Sequence, residues 1–260
     1  MHRNFKVTGK KFRVIDLPPS DFKKNVRAST LASWFYCAEK FTHIANGLTP
    51  EEEINEKKAD ILDTGTAIHA VLEESMGRRF PYEEEFIDLL KTYQHETLGF
   101  TRTIRDVNIL CTISGHQDDL QITPDFSVSV IENKTIEIPK WPADGSVPNM
   151  YFVEKFKIPI AKYQSQIYSW ILEPIVQKEG GYMHGYNAIQ YWDRPTAKFV
   201  KWYPVRYDAA AVQEQILQAL KACSDPSLVI RPKVGWKCKS CPEAHKKVCQ
   251  FCKDGVPNSI

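Results

Sequence analysis

Between Ser127 and Ile138 the chain alternates with a period of two, and the alternation sets an acid and an amine among apolar side chains. The even positions are Val128, Val130, Glu132, Lys134, Ile136 and Ile138; the odd ones are Ser127, Ser129, Ile131, Asn133, Thr135 and Glu137. A strand turns successive side chains to opposite faces, so Glu132 and Lys134 share the apolar face and look toward a core. Burying two such charges is costly unless they pair with each other or hold a metal ion. A structural ion pair meets that demand, and so does a cation site. The residues just upstream bear on the choice.

They run Ile113, Ser114, Gly115, His116, Gln117, Asp118, Asp119, Leu120. Downstream parity groups Asp118 with Leu120 and Ile122, on the inward face. Upstream, Val107, Ile109, Cys111 and Ile113 hold the odd positions, so the pattern requires a bulge or twist at Gly115. Asp118 is the preferred acid, with Asp119 as its competitor. Two acids and a lysine meeting on adjacent strands suit a hard divalent cation, which prefers carboxylate oxygens. Such a cation polarises a phosphate oxygen and acidifies a bound water, while a lysine orients the water or stabilises the transition-state charge. Phosphodiester hydrolysis is the reaction best suited to this set.

Other segments give the frame. Phe12 to Ile15 reads as a short strand. Ser29 is placed to cap a helix carrying Leu31, Trp34, Phe35, Ala38, Phe41 and Ala45, ended by Gly47 and Pro50. A second helix over about 65–76 is capped by Asp63 or Thr64; Ile68, Val71 and Leu72 face inward, and His69 shares a face with Glu73. A weaker helix covers about 82–93. From Thr103 to Glu137 the spacing predicts two strands, with a tight connection at Thr123, Pro124 and Asp125. Residues 139–150, with three prolines and a glycine, read as a loop. A long helix over about 161–176 follows, which Pro174 bends or ends. Tyr182–Trp192 and Lys198–Arg206 predict a hairpin turning at Asp193–Pro195, and Asp208 caps a last helix bearing Val212, Ile216 and Leu220. Strands set between flanking helices imply an α/β fold with a mixed central sheet.

A chain of 260 residues, 43% hydrophobic, has material for one large domain or a domain with an appended module. No apolar run is long enough to span a membrane, and Met1, His2, Arg3 and Asn4 open no signal segment. The expectation is a soluble, cytoplasmic protein with no membrane partner. A net charge of +2 permits a nucleic-acid partner without requiring one. Four of the seven cysteines, Cys238, Cys241, Cys249 and Cys252, crowd near the C-terminus. In a chain without a secretion signal that crowding argues for metal rather than disulfides, and zinc is the default for four thiolates. Cys111 and Cys223 fit apolar patterns and read as core residues.

The motifs, taken in order, resemble the PD-(D/E)XK nuclease superfamily, specifically its RecB-like branch. Gly65, Thr66, Ala67, Ile68 and His69 are similar to the branch's Gly-x-x-x-His helix, Gly115 to Asp118 to its Gly-x-x-Asp strand, and Glu132 to Thr135 to its (D/E)-x-K-T strand. Gln164 to Tyr168 matches its Gln-x-x-x-Tyr helix; Gln166 is an alternative glutamine, but only Gln164 keeps the four-residue spacing that shares a face with Tyr168. Each motif alone is weak, and four in order on their expected elements are a strong combined signal. Pro124 and Asp125 also spell the superfamily's namesake dipeptide, but they lie in the turn after the strand that should carry the acid.

The resemblance implies a restriction-endonuclease-like core in which His69, Asp118 and Glu132 hold Mg²⁺ or Mn²⁺, Lys134 acts with them, and Gln164 and Tyr168 steady the site and the DNA. It also implies a second reading of the cysteines. In the iron–sulfur members, of the AddB and CRISPR-associated adaptation type, one upstream cysteine and three near the C-terminus hold a [4Fe–4S] cluster. Cys37 is in the upstream position, with Cys238, Cys241 and Cys249 as the trio; Cys252 departs from that pattern and keeps structural zinc open. Residues 1–225 are then a nuclease-like domain, and 226–260 a cysteine-rich segment packing back on the N-terminal helix. The activity implied is a metal-dependent deoxyribonuclease, an exonuclease acting on single strands or DNA ends, with protein partners in recombination, repair or CRISPR adaptation. The alternative is a non-catalytic nucleic-acid-binding or assembly subunit with a structural zinc or iron–sulfur site.

Overall fold

The computed structural model describes residues 4–6, 13–15, 25–35, 37–45, 67, 80–106, 109–138, 141–223, 225–229 and 249. Along them run β1 (Asn4–Lys6), β2 (Arg13–Ile15), β3 (Asn25–Arg27), α1 (Ala28–Ala32), a 3-10 turn (Ser33–Phe35), α2 (Ala38–Ala45) and α3 (Pro81–Lys91). They continue with β4 (Phe100–Asp106), β5 (Ile109–Gly115), β6 (Asp119–Ile122), β7 (Ser127–Ile136), α4 (Tyr151–Phe156) and α5 (Ile158–Lys178). The series ends with β8 (Tyr182–Met183), β9 (Tyr186–Asp193), β10 (Phe199–Arg206), α6 (Ala209–Ala222) and a 3-10 turn (Pro226–Leu228). The expected mixed α/β class is what these elements form, and the arrangement is consistent with a restriction-endonuclease-like core. No helix among the described residues is long and apolar enough to cross a membrane.

The chain divides into two units. One gathers residues 1–52, 101–115 and 210–260. It contains a three-stranded sheet in the order β3-β5-β4, and β3 runs parallel to β5. The helix expected from Ser29 is broken here. Ser29 lies inside α1, whose cap is Arg27 without a side-chain bond, and a 3-10 turn separates α1 from α2. Ser33 donates to the Thr30 carbonyl at 2.6 Å, so a local side-chain bond competes with helix continuation at the break. Cys111 is buried in β5, and burial pushes its thiol up to about 12; burial also raises that of Cys223, with Cys111 adding to the effect. Cys111 is the core cysteine its pattern predicts, whereas Cys223, just past α6, is half-buried.

The other unit comprises residues 53–100 and 116–209. Its sheet has the order β10-β9-β7-β6, with β8 added beside β7. β6 and β10 run antiparallel to their neighbours, whereas β9 and β8 run parallel to β7. The parallel pairs require a crossover, and α4 and α5 supply it. α5 passes through Pro174 without ending. A mid-helix proline costs about 3 kcal/mol, but Ile167, Trp170, Ile171, Leu172 and Val176 are all buried around it and hold the helix in place. α5 extends Ile158–Lys178, beyond the expected 161–176 at both ends.

The two strands expected between Thr103 and Glu137 are four. The parity change at Gly115 is a full interruption: β5 ends there and β6 begins at Asp119. Beyond it the turn at Thr123–Asp125 forms as expected, with Phe126 in the left-handed region (φ 58°). Phe126 reaches Phe86 of α3 at 5.1 Å between ring centroids. Gly181 passes so close that a Cβ there would sit 2.7 Å from the Phe126 carbonyl oxygen, which closes β8 onto the turn.

Buried polar side chains lock α5 and the loops to this sheet. Asn187 of β9 accepts from the Val130 amide at 3.1 Å and from the Ser169 hydroxyl at 2.9 Å, and donates to the Ser165 carbonyl at 3.2 Å. Asp193 at the end of β9 accepts from the Ile138 amide and the Trp141 indole, each at 3.0 Å, and from the Thr196 hydroxyl. Its burial opposes ionisation, and these donors outweigh it and hold its carboxyl below the usual carboxylate range.

Candidate active site

β7 runs through the middle of the sheet, and most of its side chains are buried on both faces. On the face toward α5, Glu132 is completely buried and Lys134 keeps about a third of its side chain in solvent, 0% and 32% exposed respectively. The Lys134 ammonium donates to Glu132 Oε1. It also lies 3.5 Å from Gln164 Oε1, and the Gln164 amide donates to the Tyr168 hydroxyl at 2.9 Å. The four-residue spacing on α5 thus produces one continuous chain of contacts, from the strand acid through the lysine to the helix glutamine and tyrosine. Gln166 is turned away and donates to the Arg206 carbonyl at 2.7 Å.

Asp118 occupies the bend before β6, and its Oδ2 accepts the Asn133 amide at 2.7 Å. Its charge is felt by Glu132, Lys134 and Tyr168 alike. Asp119 lies within β6 opposite Ile131, on the other parity, and its carboxylate accepts the Leu120 amide. Of the two neighbouring acids, Asp118 is the one that faces Glu132.

Electrostatics sharpen the picture. Burial pushes the Glu132 carboxyl up to about 7; the Lys134 charge pulls it down, and Asp118 pushes it up further. Burial alone would lower Lys134, but Glu132 and Asp118 outweigh that and raise it. Tyr168 is raised by burial first and then by Glu132. Glu132 Oε2 is buried and has no hydrogen-bond partner among the described residues. A carboxylate oxygen left so deep without a donor fits a cation ligand, and Asp118 supplies the second carboxylate beside it. No group of three or more His, Cys, Asp or Glu side chains placed to hold a metal occurs among the described residues. His69, the expected third ligand, lies outside them.

Two contributors escape a reading of the sequence. Asn133 fixes Asp118 through its backbone amide, while its side chain accepts the Trp192 indole N–H at 3.1 Å on the opposite face. Tyr191 of β9 pairs with Lys134 across the sheet; it is buried, and its hydroxyl has no hydrogen-bond partner among the described residues. Both depend on strand register, which no local pattern encodes.

Of the expected cluster ligands, Cys37 and Cys249 are described, the first half-buried and the second buried. The Cys37 sulfur accepts the Lys40 amide at 3.3 Å. Cys238, Cys241 and Cys252 lie outside the described residues, as do most of 226–260 and the helix expected over 65–76.

No family model matches the sequence, and no curated protein sequence is similar to it. Among solved structures, the protein SSO0001 is similar with a TM-score of 0.42 and 16% identity, over 88% of this chain and 86% of that one. A candidate exonuclease from Eubacterium rectale is similar with a TM-score of 0.37 and 11% identity, over 91% of this chain and 90% of that one.

Proposed function

We propose that this protein is a metal-dependent nuclease of the PD-(D/E)XK type, resembling the RecB-like branch, and that it hydrolyses DNA phosphodiester bonds. The observation that carries the reading is the buried Oε2 of Glu132, without a hydrogen-bond partner among the described residues, set beside Asp118 and joined through Oε1 to Lys134. Asp118 and Glu132 would hold Mg²⁺ or Mn²⁺, with His69 as a further candidate ligand from the sequence motif. When bound, the cation supplies Lewis acidity toward a phosphate oxygen and toward water.

The chain's own residues do the remainder. Glu132 must be ionised to serve as a ligand, and Lys134 favours that state by donating to its other oxygen. Lys134 also offers an ammonium that reaches solvent at one end, placed to orient an attacking water or to balance charge building on the phosphate. Gln164 limits the swing of Lys134, and Tyr168 in turn fixes Gln164. End-labelled single- and double-stranded DNA is expected to be degraded with Mn²⁺ and left intact without it. Lys134→Ala should degrade neither; a fully active Lys134→Ala protein would sink the assignment.

The cysteine centre is proposed on the resemblance to the iron–sulfur members of the branch, with Cys37, Cys238, Cys241 and Cys249 as ligands of a [4Fe–4S] cluster. Anaerobically purified protein is expected to be coloured and to carry iron. A colourless protein carrying zinc would instead assign the four C-terminal thiolates to a structural zinc site.

A further inference from the structure

A second cationic feature lies along the same helix and strand as the proposed site. Lys157 is the N-cap of α5, seven residues before Gln164 and eleven before Tyr168, so it extends the line of the helix face that carries both. Seven residues at 1.5 Å per residue put Lys157 roughly 10 Å from Gln164 along the axis. On the sheet, Arg194 immediately follows Asp193, the β9 partner of Ile136, and its amide donates to the Ile136 carbonyl at 2.6 Å. Ile136 is two residues past Lys134, so Arg194 lies off the same end of the strands that Lys157 overhangs. Ile158, next to Lys157, packs against the core cluster that contains Ile136, whose carbonyl holds the Arg194 amide, so both cations stand at that end of the sheet; burial and then the Arg194 charge lower the Lys157 ammonium.

Arg194 is mostly buried, at 16% side-chain exposure, and among the described residues it has one ion pair, to Glu137 at 3.9 Å, whose carboxylate is largely in solvent. So loose an exposed pair neutralises little. Arg194 Nε is buried and has no hydrogen-bond partner among the described residues. The adjacent Asp193 carboxylate is occupied by the Ile138 amide, the Trp141 indole and the Thr196 hydroxyl, and Lys198 adds a further cation over the Trp141 ring. A guanidinium with an unsatisfied donor beside an ammonium is a fork suited to a phosphate group.

We infer that Lys157 and Arg194 form a second phosphate-binding subsite, which grips a phosphate of the nucleic-acid strand about one to three nucleotides from the bond held at Glu132. The spacing follows from roughly 10 Å of helix against a rise of about 3.4 Å per nucleotide in a strand. This inference rests on the nuclease reading, and the phosphate is either an internal diester or a terminal monophosphate.

The test is fluorescence anisotropy with short single-stranded DNA oligonucleotides, 5′- or 3′-phosphorylated or bearing hydroxyl ends, in a Lys134→Ala background so that binding is read without cleavage. Lys157→Ala is expected to weaken binding about tenfold at 0.1 M salt and to shrink the slope of log affinity against log salt by about 0.7, whereas Arg194→Lys, which keeps its charge, is expected to weaken binding about tenfold with the slope unchanged. Exposed Lys162, on a different face of α5, provides the control through Lys162→Ala. If the ligand is terminal, removing the end phosphate reproduces the Lys157→Ala loss; if it is internal, a neutral methylphosphonate linkage at one position does so. Circular dichroism establishes that both variants fold, and Arg194→Lys keeps the charge while removing the fork. Affinity matching the Lys162→Ala control in both variants, with the salt slope of Lys157→Ala also unchanged, would overturn the subsite alone. Failure of the Lys134→Ala protein to bind any oligonucleotide overturns the subsite, and loss of Mn²⁺-dependent cleavage by the wild type overturns the nuclease reading with it.

Discussion

Glu132→Gln is expected to lose on the order of 10³-fold or more of Mn²⁺-dependent DNA cleavage while remaining folded. The substitution preserves size and removes the charge. Glu132 is completely buried, one oxygen meets Lys134, and the other has no hydrogen-bond partner among the described residues. A neutral amide there presents a poorer ligand to a hard cation and leaves the Lys134 ammonium without its counter-charge. Titration calorimetry with Mn²⁺ should lose its binding signal together with activity. Cleavage at the wild-type rate would show that the buried carboxylate is only an ion-pair partner for Lys134.

The same substitution should remove a pH dependence from the stability of the metal-free protein. The Glu132 carboxyl is displaced from its ordinary value near 4.5 to about 7, first by burial. Because the folded value lies above the unfolded one, the folded state retains a proton that the unfolded chain releases. Below about 4.5 the group is protonated in both states and adds no penalty. As pH rises toward 7, stability falls, and above 7 the full cost is present. At 1.36 kcal/mol per unit this shift amounts to ~3 kcal/mol. Lys134 is raised and stays charged throughout this range, so it adds no pH dependence of its own there. Wild-type protein in chelator should therefore lose stability between pH 5 and pH 8 relative to Glu132→Gln, by up to ~3 kcal/mol in urea unfolding. Adding Mn²⁺ at pH 8 should close the gap from the wild-type side only. Parallel pH curves for the two proteins would mean that Glu132 does not titrate in this interval.

Much of the site is local and was therefore legible. The period of two in Ser127–Ile138 places Glu132 and Lys134 on one face without any knowledge of the neighbours, and both do meet Gln164 of α5 or each other there, although Ser127, Ile131 and Asn133 of the other face are buried as well. The four-residue step from Gln164 to Tyr168 is likewise a property of one helix. Asp118 could be preferred over Asp119 because Leu120 and Ile122 set the downstream parity, and both are buried. What could not be read was register. Nothing near Lys134 specifies Tyr191 as its partner on β9, because that pairing closes a loop across the sheet. Helix boundaries failed for a different reason. A single hydroxyl bond at Ser33 accompanies the break in an apolar stripe that continues on both sides of it, whereas the packing of Trp170 and its neighbours overrides Pro174.

The ion pair between Lys134 and Glu132 has a consequence for how such a protein lives in the cell. Its tethered ammonium occupies the place beside Glu132 Oε1 that an inorganic cation could otherwise take. On the proposed nuclease reading, a divalent ion would enter a pocket already held together by a charge of the chain's own, and folding and activation would be separate events.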